Sequence, residues 1–386
     1  NDTLYSEGSG YVFGQEGDDD ITVKGDDYLL AAGTGNDTVK ATGSNSTIVG
    51  EDGNDNITVN GSLNDVSAGW GDDVVNVTGD YNAVKGDAGN DILSATGIGN
   101  TLEGGDGTDQ LTMYGHGQMY GGIGNDTLYS EGSGYVFGQE GDDDITVKGD
   151  DYLLAAGTGN DIVNATGSNS TIVGEDGNDS ITVNGSLNDV SAGWGDDTVN
   201  VTGDYNVVKG DAGNDILISD GDGNVLTGGT GNDVLVGGAG NETYVFNLGD
   251  GSDAIADLGG TDVLQINGSV ADWSNFEILA TKGDDGSFLN LMFSEGENQY
   301  GDVTIDLTHG DLLETLKLGD GSELNIQEIY DGALEVSAVD IDELSASLEA
   351  VLDGVDGISE TGEIVDAVFV ETDPAGADDD PLTDDV

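Results

Sequence analysis

Aspartates recur at a fixed spacing along most of the chain, always in the same turn-forming context. The repeating unit reads x-x-x-Gly-(Asn/Asp/Thr)-Asp, followed by two apolar residues that alternate with other residues. Glycine and asparagine suit the left-handed backbone of a tight turn, but an aspartate at the sixth position of every unit is more than a turn requires. This aspartate column consists of Asp2, Asp19, Asp37, Asp55, Asp73, Asp91, Asp109, Asp126, Asp143, Asp161, Asp179, Asp197, Asp215 and Asp233.

Stacked units would bring these carboxylates into a single file, in which uncompensated negative charges repel one another. A hard divalent cation would relieve that repulsion. Calcium binds six to eight oxygens at about 2.3–2.6 Å and accepts carboxylates together with backbone carbonyls, which the glycine turns of two adjacent units would supply. Magnesium fits less well because it demands a near-octahedral geometry and retains its own waters. The aspartate column therefore predicts calcium sites between neighbouring units.

The elements that position the column are set by two nested repeats. Residues 1–93 recur as residues 125–217, at an offset of 124, with five substitutions. Each long repeat contains seven short units, five of 18 residues and two of 17. The first short units begin at Gly14, Ala32, Gly50, Ala68, Gly86, Gly104, Gly121 and Gly138.

Short apolar alternations separated by glycine-rich turns predict short β-strands in every unit. Since one unit cannot bury its apolar face alone, the units must stack. We therefore predict an all-β fold, a parallel β-solenoid (β-roll) with one coil per 17–18 residues. The high glycine content argues against any helix before residue 340. The expected inward residues include Ile21, Val23, Leu30, Ile48, Ile57, Val59, Val66, Val75, Val77, Val84, Leu102, Leu111, Met113, Met119 and Val136.

Two segments carry a resemblance to a known family. Gly228-Gly-Thr-Gly-Asn-Asp233 and Gly237-Gly-Ala-Gly-Asn-Glu242 resemble the nonapeptide G-G-x-G-x-D-x-U-x of the RTX (repeats-in-toxin, haemolysin-type) calcium-binding family. The resemblance implies a right-handed parallel β-roll, type I secretion, and folding outside the cell on meeting calcium. It also implies that the sixth-position aspartates from Asp19 to Asp233 bind calcium, helped by fourth-position glycine carbonyls. Those glycines include Gly17, Gly35, Gly53, Gly89 and Gly231.

The sequence departs from the family pattern in two respects. Glu242 stands where the last motif should have aspartate, which puts that site in doubt. Over residues 1–227, the second half of each unit lacks the motif, as in Lys24-Gly-Asp-Asp-Tyr28. Because only one half of each unit keeps the motif, the resemblance implies one row of calcium ions rather than two.

Composition excludes several classes of function. The 386 residues include 78 acidic and 7 basic side chains and no cysteine, for a formal net charge of -71. Such a polyanion is unsuited to nucleic acid or to an anionic membrane surface, and no apolar stretch approaches the ~20 residues of a membrane span. Without cysteine there is no disulfide scaffold and no thiolate metal site. High charge usually favours disorder, but the strict periodicity argues for a folded chain.

Three segments follow from these changes in pattern. Residues 1–246 are predicted to form the calcium-binding solenoid, 247–338 a β-rich capping domain, and 339–386 a short helix with an acidic tail. The RTX resemblance makes that tail a candidate type I secretion signal. No N-terminal signal peptide is recognisable, and because the sequence opens mid-unit we expect a longer array upstream. Strands in the cap are expected at Phe276–Ala280, Phe288–Phe293, Val303–Leu307, Leu316–Leu318 and Leu324–Ile326.

The RTX resemblance implies a secreted or cell-surface protein, and the lack of catalytic motifs predicts that it is not an enzyme. The only histidines are His116 and His309, and no metalloprotease, nucleophile-elbow or phosphate-loop motif is present. We expect a calcium-binding spacer of an adhesin or surface-layer protein, with calcium, cell-surface or matrix components, or further copies of itself as partners. The alternative is the secretion and folding module of an extracellular hydrolase, which a catalytic motif upstream would favour.

Two other surface functions depend on residues of the turns. An ice-binding array is less well supported, because Trp70 and Ile123 interrupt the threonines and asparagines of the calcium turns. Trp70, Trp194 and tyrosines such as Tyr81 could form a carbohydrate- or partner-binding stripe. Aromatic residues at such positions more often cover the turns of a solenoid, and we favour that interpretation.

Overall fold

The structure is a computed structural model that describes residues 1–268, 273, 276–296 and 298–336. The expected helix and acidic tail of residues 339–386, with the possible secretion signal, lie outside the described residues. Within the described residues, strands dominate and one short helix, α1, spans Ile326–Gly332.

The strands of the first long repeat are short and evenly spaced. They are β1 Thr3–Glu7, β2 Gly10–Glu16, β3 Asp20–Lys24, β4 Tyr28–Thr34, β5 Thr38–Thr42, β6 Thr47–Asp52, β7 Asn56–Asn60, β8 Asp65–Trp70, β9 Val74–Thr78, β10 Ala83–Ala88, β11 Ile92–Thr96, β12 Asn100–Asp106 and β13 Gln110–Ile123.

The second repeat and the segment after it continue the series. They contain β14 Thr127–Glu140, β15 Asp144–Lys148, β16 Tyr152–Thr158, β17 Ile162–Thr166, β18 Thr171–Asp176, β19 Ser180–Asn184, β20 Asp189–Trp194, β21 Thr198–Thr202, β22 Val207–Ala212, β23 Ile216–Asp220, β24 Val225–Thr230, β25 Val234–Gly237, β26 Thr243–Asn247, β27 Ser252–Asp257, β28 Val263–Asn267, β29 Phe276–Gly283, β30 Phe288–Glu295, β31 Asn298–Asp306, β32 Thr315–Lys317, β33 Glu323–Asn325 and β34 Leu334–Val336.

The strands stack into two parallel ladders, one on each side of the coil. On one side β3, β5 and β7 pair in register, so that Val39 lies between Ile21 and Ile57. On the other side β4, β6 and β8 do the same. At β13 and β14 a single long strand of 14 residues serves both ladders. In the other coils of the repeats, two strands and two turns occupy about 18 residues, which confirms the predicted parallel β-solenoid.

The core is a column of small and medium apolar side chains between the two ladders. All of the inward residues predicted from the alternation are buried, with at most 2% of each side chain's residue surface exposed. Their neighbours along the strand point outward, as the period of two requires. Each coil contributes little apolar area alone, so the stability of the core comes from contacts between adjacent coils.

Parallel pairing continues beyond residue 246, where the sequence predicts a change of domain. β26 pairs with β28, and β27 pairs with β31. An antiparallel arrangement of β29, β30 and β31 follows the last full coil. The strands expected between residues 276 and 326 overlap β29 to β33. The domain division at 246 stays a prediction.

The expectation of no helix before residue 340 is wrong. Helix α1 begins after Asn325, whose side chain accepts a hydrogen bond of 3.0 Å from the backbone N–H of Glu328 and so caps the helix. Ile326 is buried, and Tyr330 packs against the core. The argument from glycine holds for the repeats but not for this segment, where glycine occurs only at the last helical residue. Among the described residues, no helix is both long and apolar enough to span a membrane.

Candidate metal centre

The sixth-position aspartates stack one above another in the turns that lead into the first ladder. The thirteen from Asp19 to Asp233 are all at most 3% exposed. The backbone N–H of each donates to Oδ1 of the next, as from Asp73 to Asp91 at 2.8 Å. The same bond recurs from Asp19 to Asp215 at 2.7–2.9 Å. One carboxylate oxygen therefore anchors the turn of the preceding coil.

The second carboxylate oxygen of these aspartates has no hydrogen-bond partner among the described residues. Oδ2 is buried without a hydrogen bond in all thirteen residues from Asp19 to Asp233. A buried carboxylate oxygen without a donor is costly, so a turn would not repeat it unless something else bound there. This row of unpartnered oxygens fits a row of cations.

A first-position glycine lies beside several of these Oδ2 atoms, where a larger side chain would not fit. A Cβ built on Gly121 would lie 2.5 Å from Oδ2 of Asp126 and 2.6 Å from the carbonyl oxygen of Gly138 in the next coil. The same two kinds of oxygen surround Gly14, Gly50 and Gly86. Carboxylate and carbonyl oxygens from two coils therefore converge beside the first-position glycine, and both are ligands that calcium accepts.

The first-position carbonyl is a candidate ligand that the sequence reasoning missed. The available signal was the restriction of this position to glycine or alanine, as at Gly121 and Ala32. The five fourth-position glycines named above all have positive φ, between 107° and 145°. Unlike the first-position carbonyls, the fourth-position carbonyls point at the next fourth-position glycine. The carbonyl of Gly35, for example, faces the Cα of Gly53 in the next coil, where a Cβ would overlap it.

Burial makes the charged form of the column unfavourable when no cation is bound. Desolvation, together with the negative charge of nearby carboxylates, raises the pKa of Asp73, Asp91 and Asp126 to about 7. The N–H donated by the preceding aspartate opposes this shift by lowering each pKa. The lysine ion pairs within the described residues, such as Lys85–Glu103 at 2.7 Å, join half-exposed side chains outside the column. Neutralisation of the ionised column thus requires a cation from solution.

The opposite turn of most coils contains a neutral side chain that accepts a backbone N–H, and we call this series the amide column: Ser46, Asn64, Asn82, Asn100, Ser170, Asn188, Asn206 and Asn224. Its oxygens accept from the preceding coil as the aspartates do: Asn64 N–H donates to Oδ1 of Asn82 at 2.9 Å. The amide nitrogen of Asn100 then donates to the carbonyl of Gly79 at 2.9 Å. Here an N–H group satisfies an oxygen that would otherwise be free for a cation. These hydrogen bonds support the prediction that calcium ions occupy one side of the coils only.

The aspartate column runs further than the sequence predicted, and the amide column ends in two acidic residues. Asp253 follows Asp233 in the aspartate column and accepts its N–H at 3.1 Å. Glu242 belongs to the amide column, where Asp262 follows it and accepts its N–H at 2.8 Å. Each of these two steps spans 20 residues, and the added two residues hid Asp253 and Asp262 from a search at 17 or 18. The motif Gly251-Ser-Asp253 was the remaining signal.

The surface aromatics divide into two groups. The ring of Tyr81 lies against Gly99 of the next coil, where a Cβ would overlap it, so Tyr81 covers a turn. Trp70 and Trp194 are 73% and 72% exposed and remain candidates for partner contact. His116 is exposed and contacts Ser133 at 3.0 Å, outside the column.

Comparison with known families gives one result. The family model of the RTX calcium-binding nonapeptide repeat (4 copies) matches residues 32–61, 67–97, 85–112, 156–185, 191–226 and 219–253. Comparison with curated proteins gives no match. The chain therefore contains RTX repeats in several copies, as the resemblance indicated, and RTX nonapeptide repeats bind Ca²⁺.

Proposed function

We propose that this chain is a secreted, calcium-binding spacer of a cell-surface protein such as an adhesin or surface-layer component, with a structural rather than a catalytic role. The observation that carries the proposal is the row of thirteen buried, unpartnered Oδ2 atoms from Asp19 to Asp233. A rod built on such a row gains its rigidity only when cations fill it.

The residues that would bind calcium are the aspartates of the column, with the first-position carbonyls that converge on the same space and the fourth-position glycine carbonyls that the family pattern implies. Calcium would neutralise the column and join adjacent coils. Because the unfolded chain has no such arrangement, the binding free energy becomes folding free energy. The rod should therefore assemble only where calcium is plentiful.

The proposed location follows from the same dependence. RTX repeat proteins are typically secreted, and a chain that folds only on binding calcium would stay unfolded in the calcium-poor cytosol. The net charge of -71 would help to keep an unfolded chain extended and soluble until it reaches calcium. Exposed acidic side chains would then keep the folded rod solvated and discourage association with similar rods.

Circular dichroism of the whole chain at pH 8 tests the calcium-dependent fold. We expect a disordered spectrum in excess chelator, a β-rich spectrum in excess calcium, and a much smaller change with magnesium at equal concentration. Small-angle scattering should show an expanded coil becoming a rod over the same calcium range. A complete β spectrum in excess chelator would exclude metal-conditional folding.

The surface location needs its own measurement. Antibody labelling of intact producing cells, with a cytosolic protein as control, should detect this chain outside. Confinement of the chain to the cytosol would contradict the proposed location but not the calcium-dependent fold.

A further inference from the structure

Three buried acidic side chains meet at the C-terminal end of the amide column. Glu242, Asp257 and Asp262 are at most 2% exposed, and one carboxylate oxygen from each lies within 4.8 Å of the others. Both carboxylate oxygens of Glu242 are buried and have no hydrogen-bond partner. An unpartnered, fully buried carboxylate that points at two others requires a positive charge or a proton.

The protein holds this acidic triad in place from two successive coils. Glu242 precedes β26, Asp257 ends β27, and Asp262 precedes β28. Oδ1 of Asp262 accepts the N–H of Glu242 at 2.8 Å, and the hydroxyl of the buried Tyr244 donates to Oδ2 of Asp257. The N–H of Gly259 donates to Oδ1 of Asp257 at 2.8 Å. Two of the three carboxylates are therefore oriented by neighbours, and the third is free.

The triad differs from the repeat site in its ligands. The family match includes Glu242 but ends at residue 253, before Asp257 and Asp262. Glu242 replaces the motif aspartate, and Asp257 occupies the first position of its turn, where the repeats have glycine or alanine. The preceding members of this column, such as Asn206 and Asn224, are neutral amides. Three carboxylates thus meet at the end of a column whose earlier members are neutral.

Among the residues that the structure describes, no positive side chain forms an ion pair with the triad. The other charged groups that act on these carboxylates are acidic: Asp220 and Asp222 near Glu242, and Asp311 and Glu314 near Asp262. We propose that Glu242, Asp257 and Asp262 bind one hard divalent cation, calcium, at a site separate from the aspartate column. At calcium–oxygen distances of about 2.3–2.6 Å, two ligand oxygens can lie up to roughly 5 Å apart, which the triad satisfies.

The position of the site determines what a bound ion would do. The backbone oxygen of Asp257 accepts the N–H of Asp311 at 2.6 Å, and the N–H of Asp262 donates to Glu314 at 2.6 Å. These bonds join the last coils to the segment that leads into β32. An ion held by the triad would therefore tie the end of the solenoid to the structure that closes it.

Native mass spectrometry of the whole chain in calcium tests the site by counting bound ions. Glu242→Asn continues the amide column, and Glu242→Gln removes only the charge. Each variant should bind one ion fewer than the wild-type chain. Asp204→Asn is the matched control: Asp204 is an exposed turn aspartate of the same column face, two coils earlier, and its loss should leave the count unchanged.

Equal ion counts in the wild type and in folded Glu242→Asn and Glu242→Gln would overturn the proposal. Failure of Glu242→Asn to fold in saturating calcium would also count against it, because asparagine occupies this column in six other coils. The test is independent of the proposed function. Calcium-dependent folding of the wild-type chain would stand even if the triad bound no ion.

Discussion

At the residue scale, the two oxygens of each column aspartate have different roles. Oδ1 accepts a backbone N–H from the preceding coil, which an asparagine could also do, as the amide column shows. Oδ2 alone distinguishes aspartate from asparagine, and it is the atom without a partner. The free Oδ2 atom therefore explains why the turn has aspartate where asparagine would satisfy the backbone.

Replacement of one mid-column aspartate separates these two roles. Asp91→Asn keeps an oxygen for the N–H of Asp73 but removes the charge and the free Oδ2. We expect a higher calcium midpoint for folding, a loss of about 1–3 kcal/mol at saturating calcium, and damage confined to the neighbouring coils. Calcium titrations followed by circular dichroism measure the midpoint. His116→Asn is the control, and a larger shift for it than for Asp91→Asn would refute the ligand assignment.

The raised pKa values of the column predict how the calcium-free chain responds to acid. Burial raises the pKa of Asp73, Asp91 and Asp215 to about 7, whereas an unfolded aspartate titrates near 3.9. Protonation therefore favours the folded state: this contribution is complete below about pH 4 and is lost as the pH rises through 7.

We expect calcium-free protein, prepared by dialysis, to gain β structure as the pH falls from 8 to 5. Protons and calcium compete for the same oxygens, so the calcium midpoint should rise over the same interval. Circular dichroism with and without calcium measures both effects. A calcium-free spectrum that stays disordered down to pH 5 would show that protons cannot replace the cation.

At the scale of the element, the sequence predicts the parts of the fold that recur in every coil. It does not predict the parts that occur only once. The alternation around Ile21 and Leu30 predicted strands and inward residues because every coil repeats it. Helix α1 was not predicted because its seven residues, about two turns, are too few to show a helical periodicity. Asp253 was not predicted because two additional residues lengthen the spacing between consecutive column aspartates at this point. The convergence of carbonyls beside Gly121 could not be predicted, since it depends on how two coils stack.

Glycines of the turns make a further prediction about coil stacking. Gly53 has φ of 133°, and a Cβ there would overlap the carbonyl of Gly35 in the coil below. Gly249 has φ of 104°, but a Cβ there would meet nothing within 4 Å. Gly53→Ala should therefore cost more stability than Gly249→Ala, whose cost is backbone strain of about 1–3 kcal/mol. Urea unfolding in saturating calcium compares them, and equal losses would show that close stacking is unimportant.

At the scale of the whole molecule, the balance of charge and the two columns determine how many ions the rod needs. A single row provides one ion for each of the thirteen unpartnered Oδ2 atoms, and the triad adds one more. Two full rows of calcium ions would need roughly twice as many carboxylates, because each coil would have to supply a carboxylate ligand in both of its turns. On that second side, the backbone N–H groups of Asn64 and Asn82 donate to the side-chain oxygens of the next asparagines. The amide nitrogen of Asn100 donates to the carbonyl of Gly79.

Native mass spectrometry of the wild-type chain should therefore give a calcium count near the number of unpartnered Oδ2 atoms, thirteen, plus one at the triad. Conversion of two stacked amides to acids, Asn64→Asp with Asn82→Asp, should add about one ion. It replaces an N–H donor by a free oxygen and recreates, on the other side of the coil, the arrangement of the aspartate column. The same change at two exposed, stacked residues, Asn36→Asp with Asn54→Asp, is the control and should add none. A wild-type count near twice thirteen would contradict the single row, because it would require calcium to bind where buried amides already satisfy the carbonyls.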